Sequence, residues 1–432
     1  ERSLTVNGVI LHEGDEISID GFTGEVFSGR IDTVDPDISA NEELPLLLAW
    51  ADELRRMGVL TNADTPEEAQ QAITFGAEGI GLCRTEHMFF QPERLPDVRE
   101  MLLSAPEISR LEREAEEATD ETRAAAEEQL RTSPTARAFA AALERLGEYQ
   151  AEDFRQILRV MDGKPVVVRL LDAPLHEFLP SIESLREELR TSPPGEAAEN
   201  QRILDAALSL RETNPMMGHR GLRLGLTYPD VYRMQVRAIL RATADLKREG
   251  RDPQPKIMIP LVVAAGELKA LRSQLQRVAE ECGETLGIPG IPFGTMIELP
   301  RAALSGSRLA PLADFFSFGS NDLTQMTFGF SRDDAEEKFL RFYLERGYLQ
   351  ENPFERLDER GVGRLIQIAA EEGRAANATL ELGLCGEHGG NPESIRFCER
   401  VGLDYVSCSP MRIPVARLAA AQAALTATER DA

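Results

Sequence analysis

Two acidic residues, each close behind a short apolar run, are the first candidates for chemistry in this sequence. Glu298 directly follows the run Ile291–Ile297. Asp322 comes shortly after the run Phe315–Phe318. Because Pro300–Leu309 has the pattern of a short helix, the whole segment predicts a strand, a helix and a second strand. The two strands of such a βαβ unit lie parallel, so both carboxylates project from the same carboxyl end.

Two carboxylates in one place repel each other unless a positive charge lies between them. Mg²⁺ typically takes one or two carboxylates and completes its shell with water and substrate oxygens. The sequence therefore suggests Glu298 and Asp322 as ligands of Mg²⁺. A plainer interpretation makes one of them a helix-capping acid and the other a turn residue, and spacing alone leaves both interpretations open.

Three arginines are placed to join this site. Arg84 and Arg169 stand at the ends of two further apolar runs, and Arg220 lies in a polar GHRG loop. A guanidinium group pairs bidentately with phosphate or carboxylate. Each arginine alone could form a surface salt bridge, but their joint placement after successive strands favours a small substrate that carries both groups.

Cys385 lies in the Gly-rich segment LGLCGEHGG, at the end of another apolar run. A lone cysteine at a strand end is usually a buried apolar residue. Here Glu387 and His388 are its neighbours in sequence, and a tuned thiol in such a loop could transfer a proton. The other four cysteines have no CxxC spacing and are interpreted as structural: Cys83, Cys282, Cys398 and Cys408.

The composition limits the classes of function. The chain has 432 residues with a net charge of −25, which opposes non-specific binding to nucleic acid or to an anionic membrane. A local cluster of arginines can still bind an anionic substrate. Without a long apolar run, a signal-peptide pattern or a cysteine framework, the sequence predicts a cytoplasmic protein.

About eight strands alternate with helices, which predicts a (β/α)₈ barrel with helical insertions. A doubly wound open sheet is the alternative, but it usually has fewer strands and a Gly-rich first turn. A charged, Ala-rich stretch at 95–161 predicts a helical insertion without chemistry. The barrel is expected to occupy 41–432, behind a short β segment at 1–40. The eight strands begin near Val59, Gly79, Pro165, Lys256, Ile291, Phe315, Thr379 and Tyr405.

Several motifs resemble the pyruvate, phosphate dikinase family, in its C-terminal domain that binds phosphoenolpyruvate and pyruvate. They include GLCRTEHMFF, VVVRLLDAPLHEF, NPMMGHRG, GTMIELPRAAL, FFSFGSNDLTQMTFGF and CGEHGG, within a resemblance that spans Asn41 to Leu425. Phosphoenolpyruvate synthase and the phosphotransferase Enzyme I share the barrel pattern. The CGEHGG and SPMRIPVARLAAAQAAL runs favour the dikinases over both.

The resemblance implies roles for particular residues. Glu298 and Asp322 match Mg²⁺ ligands, and Cys385 matches the acid that protonates the methylene carbon of the enolate. Ser320 departs from the family pattern, which has Thr there, but it keeps the hydroxyl. The remaining matched positions are the anion clamp of Arg84, Arg169 and Arg220 and the substrate-binding loop of Gly319, Ser320, Asn321 and Asp322.

The resemblance also implies domains that this sequence does not contain. The family has an ATP-grasp domain and a swivelling domain with a phosphorylated histidine in a Thr-Ser-His-Ala context, and no histidine here has that context. Residues 1–40 resemble the last strands of the swivelling domain. The expectation is a C-terminal fragment, or a related short protein, that lacks full activity alone and forms a homodimer.

In the family the whole reaction interconverts ATP, phosphate and pyruvate with AMP, diphosphate and phosphoenolpyruvate. This domain would perform the transfer between phosphohistidine and the pyruvate enolate. Two other classes of function stay open at this point. One is a metal-dependent lyase that cleaves a carbon–carbon bond through the same enolate, and the other is a non-catalytic assembly module.

Overall fold

The structure is a computed structural model of the chain, and it describes residues 3–6, 8–20, 24–33, 43–193, 195, 197–288 and 290–431. The chain divides into two compact units, Glu1–Leu47 and Leu48–Ala432. Whether residues 1–40 belong to a phosphohistidine domain, as the resemblance implies, stays a prediction.

The first unit contains two antiparallel hairpins. Strand β1 (Ser3–Val6) pairs with β2 (Val9–His12), and β3 (Ile17–Ile19) pairs with β4 (Val26–Ser28). These hairpins agree with the short β segment predicted from the sequence. The turn between β1 and β2 contains Gly8, whose φ of +84° favours glycine.

The second unit is a closed barrel of eight parallel strands, so the predicted (β/α)₈ fold is confirmed and the open sheet is wrong. The ring closes where β12 pairs with β5, with Tyr405 opposite Gly58. The strands are β5 (Gly58–Asn62), β6 (Ile80–Arg84), β7 (Pro165–Arg169), β8 (Gln254–Ile259), β9 (Phe293–Ile297), β10 (Phe315–Phe318), β11 (Glu381–Leu384) and β12 (Tyr405–Cys408).

The barrel strands are apolar runs because both of their faces are buried. Every residue of β9, β10 and β12 is buried. Side chains from neighbouring strands fill the interior, as is usual in this fold. One such core cluster contains Leu82, Val167, Met258, Met296, Phe315 and Cys385.

Helices surround the barrel, and each begins and ends as follows. They are α1 (Glu43–Leu54), α2 (Pro66–Thr74), α3 (Glu86–Phe89), α4 (Leu95–Glu117), α5 (Arg123–Thr132), α6 (Pro134–Val160), α7 (Ile182–Thr191), α8 (Ala197–Leu210), α9 (Leu222–Thr227), α10 (Pro229–Arg248), α11 (Ala265–Leu286), α12 (Pro300–Ala303), α13 (Gly306–Leu309), α14 (Ser320–Phe328), α15 (Arg332–Lys338), α16 (Leu340–Glu345), α17 (Val362–Ala376), α18 (Pro392–Val401) and α19 (Ile413–Asp431). Across the described ranges, every helix is too short or too polar to cross a membrane.

Two helical regions differ in detail from the sequence pattern. The insertion at 95–161 consists of α4, α5 and α6, and Pro134 occupies the first turn of α6 as a proline can. The single helix expected between Glu298 and Asp322 is two short helices, α12 and α13. Gly306 begins α13 and approaches the α17 backbone so closely that a Cβ atom would lie 2.9 Å from the Ala369 carbonyl oxygen.

Candidate active site

The fold places the predicted site residues at the carboxyl ends of the strands, except Arg220, which lies in the loop just before α9. Arg84 and Arg169 are the last residues of β6 and β7. Glu298 and Cys385 directly follow β9 and β11, and the loop Gly319–Asp322 follows β10. Since all eight strands are parallel, these groups share one mouth of the barrel, where enzymes with this fold have their active sites.

A buried carboxylate, Asp172, joins two of the three arginines. Arg220 donates from Nε to Oδ1 at 2.9 Å and from Nη2 to Oδ2 at 2.7 Å, which is a bidentate pair. Arg169 Nη1 lies 3.2 Å from Oδ2 of the same group. The Asp172 side chain is fully buried, so this carboxylate fixes both guanidinium groups.

Glu86, on α3, holds Arg169 from the other side. Its Oε1 accepts from Arg169 Nη2 at 3.2 Å and from the Asp172 backbone N–H at 2.7 Å. Burial alone would lower the pKa of Arg169, but the charges of the surrounding acids raise it well above its ordinary value. The guanidinium therefore stays charged in a site that is almost closed to solvent.

Glu298 is fully buried and only half paired. Its Oε1 accepts from the Leu261 backbone N–H at 2.6 Å, whereas its Oε2 is buried without a hydrogen-bond partner. Burial, and then the charges of Asp322 and Asp172, raise the pKa of Glu298 well above its ordinary value. Asp322 Oδ2 lies 3.9 Å from Arg220 Nη2. An additional positive charge would relieve this crowding of acids.

This donor set fits a hard divalent cation. A buried carboxylate oxygen without a partner and a second nearby carboxylate are the protein ligands that Mg²⁺ typically takes. Among the described residues, His, Cys, Asp and Glu side chains nowhere gather in threes as they would at a site made of protein ligands alone. Glu298 and Asp322 would thus hold the ion together with water or substrate oxygens.

The peptide that supports Glu298 is strained. Leu261 has a φ of +60°, and it is the sole non-glycine residue with positive φ among those described. This left-handed conformation is costly for a branched side chain and is typical of functional sites. Gly221 is tightly enclosed beside it, because a Cβ atom there would lie 2.8 Å from both Leu261 Cβ and Asp172 Oδ1.

Arg84 has different surroundings from the other two arginines. Its side chain is about one-third exposed, at 32%, and its Nη1 lies 3.8 Å from Asp64 Oδ2. Its backbone N–H donates to Asp64 Oδ1 at 2.6 Å. The structure therefore joins Arg169 and Arg220 in one network and places Arg84 at the same mouth in a separate pair.

Cys385 is a buried, protonated thiol. Its Sγ donates to the Phe318 carbonyl oxygen at 3.7 Å, and burial raises its pKa to about 11, although the nearby Ser317 hydroxyl opposes the shift. The charge of Glu298 contributes to the same increase in pKa. At neutral pH the group is a proton donor and not a thiolate.

The neighbours of Cys385 in sequence have other partners. Glu387 accepts from Arg332 Nη1 at 2.8 Å. The His388 ring is fully buried and bonds with Ser320 Oγ at 2.8 Å and with the Pro353 carbonyl oxygen at 2.9 Å. Both side chains thus form these hydrogen bonds with groups other than the Cys385 thiol.

The loop after β10 leads directly into a helix. Gly319 precedes α14, and Ser320, Asn321 and Asp322 form its first turn, where backbone N–H groups lack intrahelical partners. Asn321 Oδ1 accepts from the Glu387 backbone N–H at 3.1 Å. The first turn thus offers N–H groups to an anion at the mouth.

Some residues of this network were not predicted as site residues. Asp172 and Glu86 lie within three residues of a strand end, which is the same signal that identifies Glu298. Asn62 ends β5 and donates from Nδ2 to the Cys385 carbonyl oxygen at 3.0 Å. The left-handed Leu261 has no signal in the sequence, because leucine is unfavourable in that conformation.

Fold and site together place the chain among the (β/α)₈-barrel proteins that concentrate charged groups at the carboxyl ends of their strands. It belongs to the family described as PEP-utilising enzyme, PEP-binding domain, which it matches over residues 39–425.

Curated relatives in this family are similar along almost the whole chain. Pyruvate, phosphate dikinase of Clostridium symbiosum is 46% identical over 426 residues, which is 98% of this chain and 45% of the relative. The enzyme of the same name from Rhizobium meliloti is 47% identical over 99% of this chain and 44% of its own length. The chloroplastic enzyme of Flaveria pringlei is 46% identical over 98% and 41%. The chain thus spans less than half the length of these relatives.

Proposed function

We propose that this chain is the substrate-binding barrel of a pyruvate, phosphate dikinase. Its site would carry Mg²⁺-dependent phosphoryl transfer between a phosphohistidine and the enolate of pyruvate, which gives phosphoenolpyruvate. The observation that carries the proposal is the 46–47% identity to dikinases over at least 98% of the chain. The site geometry supports it, because each residue matched to the dikinase pattern lies at the one mouth of the barrel.

Binding of the substrate would use the arginines. Arg169 and Arg220 are held by Asp172 and stay charged, so they can pair with carboxylate or phosphate oxygens without reorganisation. Arg84 is more exposed and could follow a phosphoryl group that enters from outside. The first turn of α14, with Gly319, Ser320, Asn321 and Asp322, would add N–H donors.

Mg²⁺ would be held by Glu298 and Asp322. When bound, the cation supplies positive charge beside the substrate oxygens, where negative charge develops during enolate formation and phosphoryl transfer. The buried Oε2 of Glu298, which has no partner, supports this assignment. The Leu261 N–H fixes Oε1 of the same carboxylate, so its orientation is set before any ligand arrives.

The proton would be carried by Cys385. A thiol with a pKa of about 11 is protonated at neutral pH, as a group that donates a proton to the methylene carbon of the enolate must be. In the opposite direction the thiolate, which is the form left once the proton has been donated, would remove a proton from the methyl group of pyruvate and become the thiol again. Its bond to the Phe318 carbonyl oxygen keeps the thiol in place between these events.

The phosphohistidine domain and a second copy of the chain are the proposed macromolecular partners. The phosphoryl group would come from a phosphohistidine that reaches the mouth. The homodimer and the cytoplasmic location are likewise proposals that rest on the family and the sequence.

Two measurements on the isolated chain test the proposal. Calorimetry should detect oxalate, an analogue of the enolate, only when Mg²⁺ or Mn²⁺ is present. Proton NMR in D₂O should detect metal-dependent exchange of the pyruvate methyl protons. Cys385→Ala should keep oxalate binding and slow the exchange by at least about a hundredfold.

Cys408→Ala is the matched control, because Cys408 is an equally buried thiol at the end of β12. This variant should exchange like the unmodified chain. Oxalate binding that needs no metal, or an exchange rate that Cys385→Ala leaves unchanged, would contradict the proposed function.

A further inference from the structure

His388 is a buried imidazole to which the proposed chemistry gives no role. Its ring is completely shielded from solvent, and both of its nitrogens are hydrogen bonded. One bond reaches Ser320, in the first turn of α14, and the other reaches the carbonyl group of Pro353. A buried ring with two partners on different segments joins those segments.

The identity of the two partners determines where the ring carries its hydrogen. The Pro353 carbonyl oxygen can only accept, so Nε2 of His388 must be the donor. Burial lowers the pKa of His388, which keeps the ring neutral with a single N–H. Nδ1 is then an acceptor, and the Ser320 hydroxyl must donate to it across 2.8 Å.

The hydroxyl group of Ser320 has one hydrogen, and that hydrogen is donated to Nδ1 of His388. A ligand at the mouth would therefore receive the backbone N–H of Ser320 but no hydrogen bond donated by its side chain. Gly386 encloses the same hydroxyl group, because a Cβ atom there would overlap Ser320 Oγ. The Ser320 side chain is thus turned into the protein and completely buried.

Ser320 and His388 connect the turn that carries Asp322 with the loop that carries Cys385. Asn321 makes a second connection between the same two segments, since its Oδ1 accepts from the Glu387 N–H at 3.1 Å. Pro353 adds a third segment, between α16 and α17. We propose that His388 is a positioning residue: its neutral Nε2–H tautomer holds Ser320 and thereby orients the first turn of α14, with Asn321 and Asp322, toward the ligand.

This inference rests on the proposed function for the identity of the ligand. It predicts which replacements preserve the site. In His388→Gln the amide nitrogen can donate to Pro353 and the amide oxygen can accept from Ser320. In His388→Phe the ring volume is kept, but both hydrogen bonds are lost. The two variants are therefore a matched pair that separates hydrogen bonding from packing.

The experiment combines NMR of the ¹⁵N-labelled chain with titrations of Mn²⁺ and oxalate. The His388 signals should show a protonated Nε2 and an unprotonated Nδ1 at neutral pH. His388→Phe should weaken Mn²⁺ binding by about tenfold, the lower end of the loss expected when a direct partner of a metal ligand is removed, because His388 acts on Asp322 through Ser320. His388→Gln should recover most of the lost Mn²⁺ affinity. If His388 had a purely structural role, the two variants would bind Mn²⁺ equally well at temperatures where both are folded.

Three results would overturn the inference. They are an Nδ1–H tautomer, an Mn²⁺ affinity of His388→Phe equal to that of the unmodified chain, and a Gln variant as impaired as Phe. If the unmodified chain fails to bind oxalate with Mn²⁺, the proposed function fails instead. Amide exchange then decides the inference, because His388→Phe should accelerate exchange of the Leu323 N–H, whose bond to the Gly319 carbonyl oxygen closes this turn, and unchanged exchange would refute it.

Discussion

The two ends of the barrel use acidic residues in different ways. At the amino ends of the strands, three acids share one arrangement. Each acid lies just before one strand and accepts a backbone N–H from the strand that precedes it along the chain. The same acid binds an arginine on or near the helix before that earlier strand. The three sets are Glu78 with Val59 and Arg55, Asp314 with Phe293 and Arg272, and Asp404 with Leu382 and Arg374.

The charged side chains at the two ends of the barrel differ in their exposure and in their hydrogen bonding. The acids of the amino end have side chains that are 40–48% exposed. At the carboxyl end the Asp172 side chain is completely buried, and Oε2 of Glu298, Oε2 of Glu86 and Nε of Arg169 are buried without partners. At one end the charges are paired and connect neighbouring strands, whereas the other end leaves buried polar atoms without partners.

Removing a buried charge at the mouth should have the largest effect. Asp172→Asn leaves the guanidinium groups of Arg169 and Arg220 without their shared anion, and it should lower the free energy of unfolding by about 3–5 kcal/mol. Urea denaturation measures the change. Asp404→Asn at the amino end is the control, with an expected loss of about 1 kcal/mol. Equal losses would show that the two ends do not differ in this way.

Glu298→Gln should separate stability from binding. The amide keeps an oxygen for the Leu261 N–H and removes a carboxylate whose charge is opposed by burial, so stability should stay the same or rise by about 1 kcal/mol. Mn²⁺ affinity, measured by electron paramagnetic resonance, should fall by about a hundredfold. Asp314→Asn should leave Mn²⁺ affinity unchanged, and a loss there would contradict the division of roles.

The acid dependence of stability should show the smallest effect. Burial would raise the pKa of Glu78, but the hydrogen bonds from Arg55 and the Val59 N–H outweigh it and lower the pKa. The stability that Glu78 contributes is therefore present above its ordinary pKa of 4.5 and is lost as the pH falls below it. Glu78→Gln should cost about 0.5–1 kcal/mol at neutral pH and flatten the decline below pH 4.5. If the variant loses stability with falling pH as steeply as the unmodified chain does, Glu78 is not the source of that loss.

Local sequence signals were sufficient for the barrel and for the ends of its strands. The apolar runs predicted all eight strands, because both faces of each strand are buried. Parallel strands then place Glu298 and Asp322 at one mouth without further information.

Contacts between distant segments could not be predicted in this way. Asp172 bridges Arg169 and Arg220, and nothing within the local sequence around Asp172 indicates a partner 48 residues away. His388 and Ser320 are 68 residues apart, and the neighbourhood of Cys385 in sequence suggested a different role for the imidazole. The left-handed conformation of Leu261 is imposed by packing against its propensity.

The repeated acid–arginine arrangement has a consequence for rebuilding this barrel. Each copy joins two strands that follow one another along the chain, together with an arginine on or near the helix before the first of them. A circular permutation that opens the polypeptide between α16 and α17 would separate none of the three sets. New termini there should preserve the alignment of the three strand pairs that these sets join, which are β5 with β6, β9 with β10 and β11 with β12.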